Sequence, residues 1–196
     1  MLTERQFVVK RIFDISISIV LLPFVIIPLI LLLVIASLST RKNGFFVQMR
    51  IGKNSSLFPL YKIRSLKGTG HEDIFAMNKD QTVFGKWLRK TKLDELPQLF
   101  NVLKGDMSWV GPRPDIPGYA DRLEGDDRII LLLRPGITGP ATLKYKNEDV
   151  LLRQQPDPLT YNDEVIWPDK VAINKEYIRN WSLRKDIEYL FASVFN

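Results

Sequence analysis

An uninterrupted apolar segment near the N-terminus constrains this 196-residue chain more than any other feature. Residues 15–38 carry no charged side chain and are almost all aliphatic. The segment is longer than the ~20 residues that a helix needs to cross the hydrocarbon core of a bilayer. A secretory signal peptide has a shorter apolar region and a small-residue cleavage site, and this segment has neither. We therefore expect it to stay attached to the chain and to enter a membrane.

Two prolines, Pro23 and Pro28, lie inside this segment, and each is expected to kink or break a helix. Basic residues flank the segment on both sides: Arg5, Lys10 and Arg11 before it, and Arg41, Lys42, Arg50 and Lys53 after it. A crossing helix has its excess of Lys and Arg on one side, whereas symmetric flanks suit a re-entrant helix-break-helix that returns to the same face. Each arm of such a hairpin would reach only ~18 Å. From these residues alone, the hairpin and a single crossing are equal alternatives.

The rest of the chain has the composition of a soluble domain. With 45% hydrophobic and 26% charged residues overall, the chain is not disordered, and the roughly 155 residues outside the apolar segment can bury a core. Residues 45–66 predict two short strands around a turn. Helices are predicted over residues 83–90, 94–105 and 117–133 and in the closing stretch 165–195, whereas residues 146–163 are polar and expected to be irregular. We predict a mainly helical α+β fold, with a membrane-embedded part over residues 1–40 and a compact cytosolic domain over residues 41–196.

Several classes of site are excluded by composition. The chain has no cysteine, which excludes disulfides and thiolate metal sites. Its one histidine, His71, lies in a polar stretch expected to be loop or frayed helix over residues 71–82, so histidine-based zinc sites and a Ser-His-Asp triad are not expected. The net charge of +6 fits solubility, anionic lipid or a phosphate-bearing substrate. Nucleic acid is not an expected partner, because no recognised binding pattern is present.

Two adjacent carboxylates, Asp94 and Glu95, precede an apolar run with helical spacing that ends at Gly105. Acidic residues favour the first turn of a helix, and Pro97 is tolerated there. Taken by itself, the pair is therefore most simply explained as part of a helix N-terminus. This interpretation requires no ligand.

The cations around the pair favour a second interpretation. Arg89 and Lys92 precede it, and Arg113 follows in a Gly-Pro-Arg loop, so all three could converge on one helix start, where backbone N–H groups attract anions. An anion held beside carboxylates requires a cation between them, and Mg²⁺ takes one or two carboxylates plus phosphate oxygens. These are the parts that phosphoryl transfer needs. A solvated basic face is the competing explanation.

Lys62 and Arg64 alternate along a predicted strand in the stretch YKIRS, so both point to one face. They either extend the cationic surface or line the exposed side of the strand.

Longer strings of residues carry a family resemblance. In order along the chain they are KRIFD, FFVQMRIGK, YKIRS, WLRKTKLDELPQLFNVLKGDMSWVGPRP, RPGITGP and YIRNWSLRKDIEYLF. Together they resemble the small monotopic phosphoglycosyl transferases, the bacterial sugar transferases that begin cell-surface glycan assembly on a lipid carrier. The match runs from Lys10 almost to the C-terminus.

The resemblance implies a reaction and a place. A sugar 1-phosphate moves from a UDP-sugar to polyprenyl (undecaprenyl) phosphate, giving polyprenyl-diphospho-sugar and UMP, with Mg²⁺ required. The membrane segment is implied to be re-entrant, with the catalytic domain on the cytoplasmic face of the bacterial inner membrane. The sugar and the glycan pathway are not implied, and a homodimer stays open.

The resemblance also assigns roles to residues. Asp94 matches the nucleophile that forms a covalent phosphosugar intermediate, and Glu95 its partner, both placed near the metal. Arg89 and Arg113 match positions that hold phosphate oxygens. Lys62 matches a lysine of the family strand, and Arg64 follows it as a second candidate for binding substrate.

Two departures from the family pattern concern the bend and the donor. The usual Ser-Pro break is replaced by Leu22-Pro23 or Ile27-Pro28, which leaves the position of the bend open. After RPGITG, where many members carry an Asn-Gly-Arg-Asn stretch, this chain reads PATLKYKNED, so the role of that arginine would pass to Lys144 or Lys146. A membrane-anchored scaffold of the same fold without turnover is the alternative function.

Overall fold

The computed structural model describes residues 2–68 and 80–195, and it is mainly helical with two small sheets. The helices are α1 (Glu4–Thr40), α2 (Val83–Thr91), α3 (Gln98–Lys104), α4 (Pro140–Lys144), α5 (Glu148–Arg153), α6 (Pro158–Tyr161), α7 (Trp167–Arg179) and α8 (Leu183–Phe195). The strands are β1 (Phe45–Ile51), β2 (Leu57–Ile63), β3 (Ser108–Val110) and β4 (Gly136–Thr138). The predicted α+β class is confirmed. His71 and most of the polar stretch predicted over residues 71–82 lie outside the described residues.

The long helix α1 contains the whole apolar segment and is long and apolar enough to cross a membrane. It runs without interruption through Pro23 and Pro28, so the predicted division into two helices is not seen. Both prolines are exposed, and helices of membrane proteins tolerate proline in their interior. The re-entrant arrangement stays a prediction.

After α1 the chain turns back on the helix. Arg41 adopts a left-handed backbone conformation with φ 55°. The N–H of Gly44 donates to Ser37 Oγ at 2.8 Å, and a side chain at Gly44 would collide with the Leu33 carbonyl. Only glycine permits this close approach. The reversal leads into β1, which pairs with β2 in a two-stranded sheet, as predicted for residues 45–66.

The described chain separates into two compact units. The first consists of residues 1–14, 50–58 and 105–196, and the second of residues 15–49 and 59–104. We call them the terminal unit and the central unit. Their boundaries differ from residues 1–40 and 41–196 because α1 contributes to both units. The predicted division concerns membrane and cytosol rather than packing, and it stays a prediction.

The core of the central unit forms along one face of α1. Leu29, Leu32 and Ala36, spaced three and four residues apart, are buried together with Ile63 of β2 and Leu88 of α2. This spacing places the three α1 residues on the same side of the helix. The second half of the apolar segment therefore has a protein-facing stripe, which explains why it is not uniformly exposed.

The core of the terminal unit gathers around the parallel pair β3–β4, in which Ser108 faces Gly136 and Val110 faces Thr138. Val110 and Ile178 are among the buried residues of this core. Two backbone segments meet at Gly136, and a side chain there would collide with the backbone of Gly111. The stretch RPGITGP therefore requires glycine at this position.

Lys10, one of the basic residues that precede the apolar segment, is buried in an ion pair and does not lie at the surface. It is 4% exposed, and its Nζ lies 2.6 Å from Oδ2 of Asp186 in α8, a residue that is fully buried. The Asp186 carboxylate also accepts hydrogen bonds from the Tyr177 hydroxyl at 2.6 Å and from Trp181 Nε1 at 3.1 Å. A buried lysine requires such a partner, and the first and last helices are joined through it.

Three local predictions need correction. The helix predicted over residues 117–133 is replaced by two 3-10 segments, Ala120–Arg122 and Gly125–Leu132. The irregular stretch predicted over residues 146–163 contains α5 and α6. The helix predicted to begin at Asp94 begins instead at Gln98, after a separate 3-10 turn over Leu93–Glu95.

Candidate active site

The two adjacent carboxylates lie in a tight turn between α2 and α3. Lys92 ends α2 in a left-handed conformation with φ 59°, and its N–H donates to the Arg89 carbonyl. The 3-10 turn over Leu93–Glu95 follows at once and contains both Asp94 and Glu95. The pair is thus held by the turn and does not form the first turn of α3, which is the position that simple helix capping requires.

Both carboxylates are buried although they carry the same charge. Asp94 is 7% exposed and Glu95 9% exposed. Burial raises the pKa of Asp94, and repulsion from Glu95 raises it further. Burying two like charges side by side is unfavourable for the fold. A fold that retains such a pair gains nothing in stability from it, so another role is indicated.

Three cations from β2 and from the end of α2 offset this repulsion. Lys62 on β2, Arg89 in the last turn of α2 and Lys92 at its end all act on Asp94 in the direction that lowers its pKa. Lys62 Nζ lies 3.9 Å from Oε1 of Glu95. The structure therefore brings Lys62, Arg89 and Lys92, all considered in the sequence analysis, close to the buried acid pair.

Asn101 positions the strand that carries Lys62, and sequence reasoning missed it. Its amide lies in α3, where Oδ1 accepts from the Tyr61 N–H at 3.0 Å and Nδ2 donates to the Pro59 carbonyl at 2.7 Å. The residue is fully buried. The sequence feature that could have indicated Asn101 is an amide side chain among the apolar positions of a helix, where packing alone does not require one.

Arg64 has different surroundings. It lies just beyond the end of β2, and its Nε donates to the Asn43 carbonyl at 2.7 Å while its guanidinium stacks 5.1 Å from the centre of the Phe46 ring. The alternation expected along the strand ends at Ile63, because β2 ends there. Its predicted role in binding substrate stays a prediction.

Arg113 belongs to the terminal unit, where it acts on Asp115. Burial raises the pKa of Asp115 to about 6, against the opposing charges of Lys170, Arg50 and Arg113. Asp115 was not predicted, although it stands two residues after Arg113 in the stretch GPRPD. Asp115 therefore changes its protonation state close to neutral pH and lies beside three cations. A phosphate-bearing ligand bound there would change its pKa.

The two lysines that were expected to replace the family arginine are also in the terminal unit. Lys144 Nζ lies 2.7 Å from Oδ2 of Asp169, and the Tyr145 hydroxyl donates to the same oxygen at 2.7 Å. Burial and this hydrogen bond raise the pKa of Tyr145 to about 12. Lys146 is exposed. The structure thus places Lys144 in an ion pair at the end of α4, and a role for either lysine in holding the donor stays a prediction.

The acid pair fits a divalent cation by its chemistry. Mg²⁺ is bound by one or two protein carboxylates together with phosphate oxygens, and the repulsion between Asp94 and Glu95 is what a shared cation relieves. Within residues 2–68 and 80–195, no group of three or more His, Cys, Asp or Glu side chains is arranged to hold a metal ion. The pair would therefore need ligand oxygens to complete a coordination shell.

Comparison with known proteins points to one family. The model of the family described as Bacterial sugar transferase matches residues 5–196. Undecaprenyl-phosphate galactose phosphotransferase of Salmonella typhimurium is 34% identical over 94% of this chain, and undecaprenyl-phosphate glucose phosphotransferase of Komagataeibacter xylinus is 35% identical over 98% of it. This chain spans only 39% and 36% of the lengths of those two relatives.

A relative of more similar length is found in Bacillus subtilis. The putative undecaprenyl-phosphate N-acetylgalactosaminyl 1-phosphate transferase of that organism is 36% identical over 74% of this chain and 83% of its own length. The family match covers the apolar segment, the acid pair and the closing helices. The resemblance inferred from the motifs is confirmed at this level, and the chain belongs to the bacterial sugar transferase family.

Proposed function

We propose that this chain transfers a sugar 1-phosphate from a UDP-sugar to polyprenyl phosphate, with undecaprenyl phosphate as the acceptor, at the cytoplasmic face of the bacterial inner membrane. The products are polyprenyl-diphospho-sugar and UMP, and the reaction is the first membrane step of surface glycan assembly. One observation carries the proposal: the buried pair Asp94 and Glu95 is surrounded by Lys62, Arg89 and Lys92. The three relatives, named as undecaprenyl-phosphate sugar phosphotransferases or transferases, support it.

In the first step a carboxylate oxygen of Asp94 attacks the phosphorus that bears the sugar. A bond forms between that oxygen and the phosphorus, the diphosphate P–O bond breaks, and UMP leaves with the bonding electron pair. A carboxylate is a weak nucleophile toward an anionic diphosphate, so neutralisation of the donor is needed. Lys62 and Arg89, already beside Asp94, are suited to this, and their charges favour the ionised form that must attack.

In the second step an oxygen of polyprenyl phosphate attacks the same phosphorus. The bond to Asp94 breaks, the carboxylate is regenerated, and the new diphosphate carries the sugar on the lipid. The two-step path allows one site to serve a water-soluble donor and a lipid acceptor in turn. Glu95, paired with Lys62 at 3.9 Å, keeps this lysine directed at the site between the steps.

A bound Mg²⁺ would be held by Asp94 and Glu95 and would supply charge neutralisation to the diphosphate oxygens. Lys62 and Arg89 also neutralise charge on the diphosphate, whether or not the ion is bound. Removal of the ion by a chelator is expected to abolish turnover while leaving the fold intact.

The burial pattern of α1 supports a shallow, re-entrant association with the membrane. Of the ten described residues 19–28, none is buried, and Phe24 and Ile27 are more than 70% exposed. At 1.5 Å per residue this stretch is ~15 Å long, about half the hydrocarbon thickness of a bilayer. From Leu29 onward one face of the helix packs on protein.

The activity is tested by incubating purified protein with polyprenyl phosphate, Mg²⁺ and a panel of UDP-sugars that includes modified sugars, and by measuring UMP. Release of UMP with at least one donor is expected. No UMP from any donor would contradict the proposal and favour the scaffold without turnover.

The intermediate is tested separately by omitting the acceptor and supplying donor labelled in the sugar. The label is expected on the protein, on the peptide containing Asp94, and is expected to leave on addition of polyprenyl phosphate. Labelling of an Asp94→Asn variant to the same extent would place the nucleophile elsewhere.

The topology is tested with single cysteines at Thr3 and Asn43, since the chain has none of its own. A membrane-impermeant thiol reagent applied from the cytoplasmic side is expected to label both positions. Labelling of only one of them would show a crossing helix and would overturn the re-entrant arrangement.

A further inference from the structure

An open cleft of about 330 Å³ lies on the terminal unit, between α4, α7 and α8. Its lining is mostly apolar and includes Pro140 at the start of α4, Ala172 and Ile173 in α7, and the ring of Tyr177. The volume is within the range found for small-ligand sites. None of these side chains takes part in the proposed transfer steps.

Three polar side chains complete the lining of the cleft. Lys185 and Tyr189 are four residues apart on α8, so they are neighbours on one face of that helix. Glu176 belongs to α7, and its Oε1 accepts from Asn180 Nδ2 at 2.5 Å, which leaves Oε2 for another donor. In the part of the chain that the structure describes, Lys185 Nζ and the Tyr189 hydroxyl make no hydrogen bond or ion pair. The cleft therefore offers two donors and one acceptor to a ligand.

Two tyrosine rings supply aromatic surface at the cleft. The ring centres of Tyr177 and Tyr189 are 5.8 Å apart, and the rings pack edge to face. The Tyr177 hydroxyl donates to Asp186 Oδ1 at 2.6 Å, so this tyrosine offers its ring alone. Aromatic and aliphatic walls of this kind suit a flat, largely apolar ring.

The cleft adjoins the end of the parallel strand pair after which Arg113 follows. Because β3 and β4 are parallel, the chain leaves both strands on the same side. The segment after β3 runs through Gly111 to Arg113, and the segment after β4 runs through Gly139 to Pro140 of the cleft. The two segments touch, since a side chain at Gly139 would collide with the Gly111 carbonyl. Ligands of parallel sheets bind beyond this end of the strands.

From these observations we propose that the cleft binds the uracil base of the donor nucleotide. The inference rests on the proposed function, which supplies the UDP group. Uracil carries one ring N–H between two carbonyl oxygens. Lys185 and Tyr189 are suited to donate to the carbonyl oxygens, and Glu176 to accept from the N–H. A base bound here leaves the phosphates for cationic side chains such as Arg113, which follows the neighbouring strand.

The test measures binding of UMP and of CMP to the full chain in detergent by isothermal titration calorimetry, without acceptor. UMP is expected to bind at least about tenfold more tightly, because cytosine has an amino group in place of one carbonyl and lacks the ring N–H. Glu176→Gln, whose amide both donates and accepts, should reduce this preference to less than about threefold. Lys185→Gln should weaken UMP binding several-fold. Arg184→Gln, which removes the same charge from an exposed neighbour outside the cleft, is the control and should not.

Two further variants separate packing in the cleft from hydrogen bonding. Ala172 is exposed, so Ala172→Phe occupies the cleft without displacing the core and should weaken UMP binding at least about tenfold at an unchanged melting temperature. Val194→Phe enlarges an exposed position of α8 outside the cleft and should have no effect. Tyr189→Phe keeps the ring and removes the hydroxyl, so it should weaken UMP binding less than Ala172→Phe does.

Several outcomes would overturn the inference. These are no detectable UMP binding by the parent chain, equal affinity for UMP and CMP, or unchanged UMP affinity in both Ala172→Phe and Lys185→Gln. Weaker binding of polyprenyl phosphate by Ala172→Phe, with UMP binding retained, would assign the cleft to the lipid acceptor instead. If UMP release is observed but the cleft variants keep the KM of the parent for the donor, this inference fails and the proposed function stands. If UMP is never released but the preference for UMP depends on Glu176, the cleft binds the base and the transfer reaction is contradicted.

Discussion

One cluster of buried charge in each unit can be compared, and the two clusters are built in opposite ways. In the terminal unit, Asp186 is paired with Lys10 at 2.6 Å and receives two further hydrogen bonds, so both of these buried charges have a partner. In the central unit, Asp94 and Glu95 are buried beside each other, and the ion pair between Glu95 and Lys62 is 3.9 Å long. The first arrangement holds helices together, whereas the second keeps unfavourable charge in place.

This difference gives a way to distinguish buried charged side chains that stabilise the fold from buried charged side chains that serve the reaction. A buried pair of opposite sign, fully hydrogen-bonded, is lost only at a large cost in stability. A buried pair of like sign is a candidate for chemistry, because the fold would be more stable without it. The comparison therefore predicts that mutations of the paired charges lower stability, whereas mutations of the acid pair lower activity without lowering stability.

The largest effect is expected from Asp94→Asn. Loss of the nucleophile should reduce UMP release by at least about 10³-fold. A carboxyl whose pKa is raised in the folded state makes the free energy of unfolding fall as the pH rises through that pKa. At pH 7 the neutral Asn removes the loss of stability caused by ionising this carboxyl, so the melting temperature should be unchanged or higher. An inactive variant that also melts much earlier would contradict the comparison.

Asp186→Ala, in contrast, is expected to act on stability rather than on the reaction. It leaves Lys10 buried without its counter-ion and should lower the free energy of unfolding by roughly 3–5 kcal/mol, measured by urea denaturation. Activity would be lost through unfolding rather than chemistry. The double variant Lys10→Met/Asp186→Leu removes both charges and should recover a large part of the stability. A change of less than about 1 kcal/mol in the single variant would show that the pair is not structural.

Two substitutions around Asp94 should move the acid limb of the pH–rate profile in opposite directions. Glu95→Gln removes the repulsion that raises the pKa of Asp94, so the limb should shift to lower pH. Lys62→Met removes the first of the opposing cations and should shift it to higher pH. Each is also expected to reduce kcat/KM by about 10–100-fold. Shifts in the same direction would show that the ionisation of Asp94 does not determine the acid limb of the pH–rate profile.

Local spacing and motif strings were sufficient for much of the fold. The hairpin after Gly44, the helix α2 and the closing helices α7 and α8 follow from hydrophobic period and turn residues. The start of α3 did not, because Lys92 adopts a left-handed conformation that no spacing rule predicts for lysine.

The candidate site was predictable only in its central part. Asp94, Glu95, Arg89 and Lys62 were predicted from local context and resemblance, since three of them are within seven residues of one another. Asn101 acts through hydrogen bonds to residues about forty positions away, and Lys10 finds its partner 176 positions away. Such pairings are set by tertiary packing, which a single sequence does not encode in any local pattern.

The smallest effect is expected from Arg64→Gln, which distinguishes cations that act on the acid pair from cations that do not. Arg64 donates to the Asn43 carbonyl and stacks on Phe46, so its loss should cost about 0.5–1.5 kcal/mol of stability. If its guanidinium stays there when the donor binds, UMP release should fall less than about threefold, against the larger loss in Lys62→Met. Steady-state kinetics of the two variants with the same UDP-sugar make the measurement. A loss in Arg64→Gln as large as that in Lys62→Met would show that Arg64 turns toward the donor, and the strand alternation expected from YKIRS would then describe the bound state.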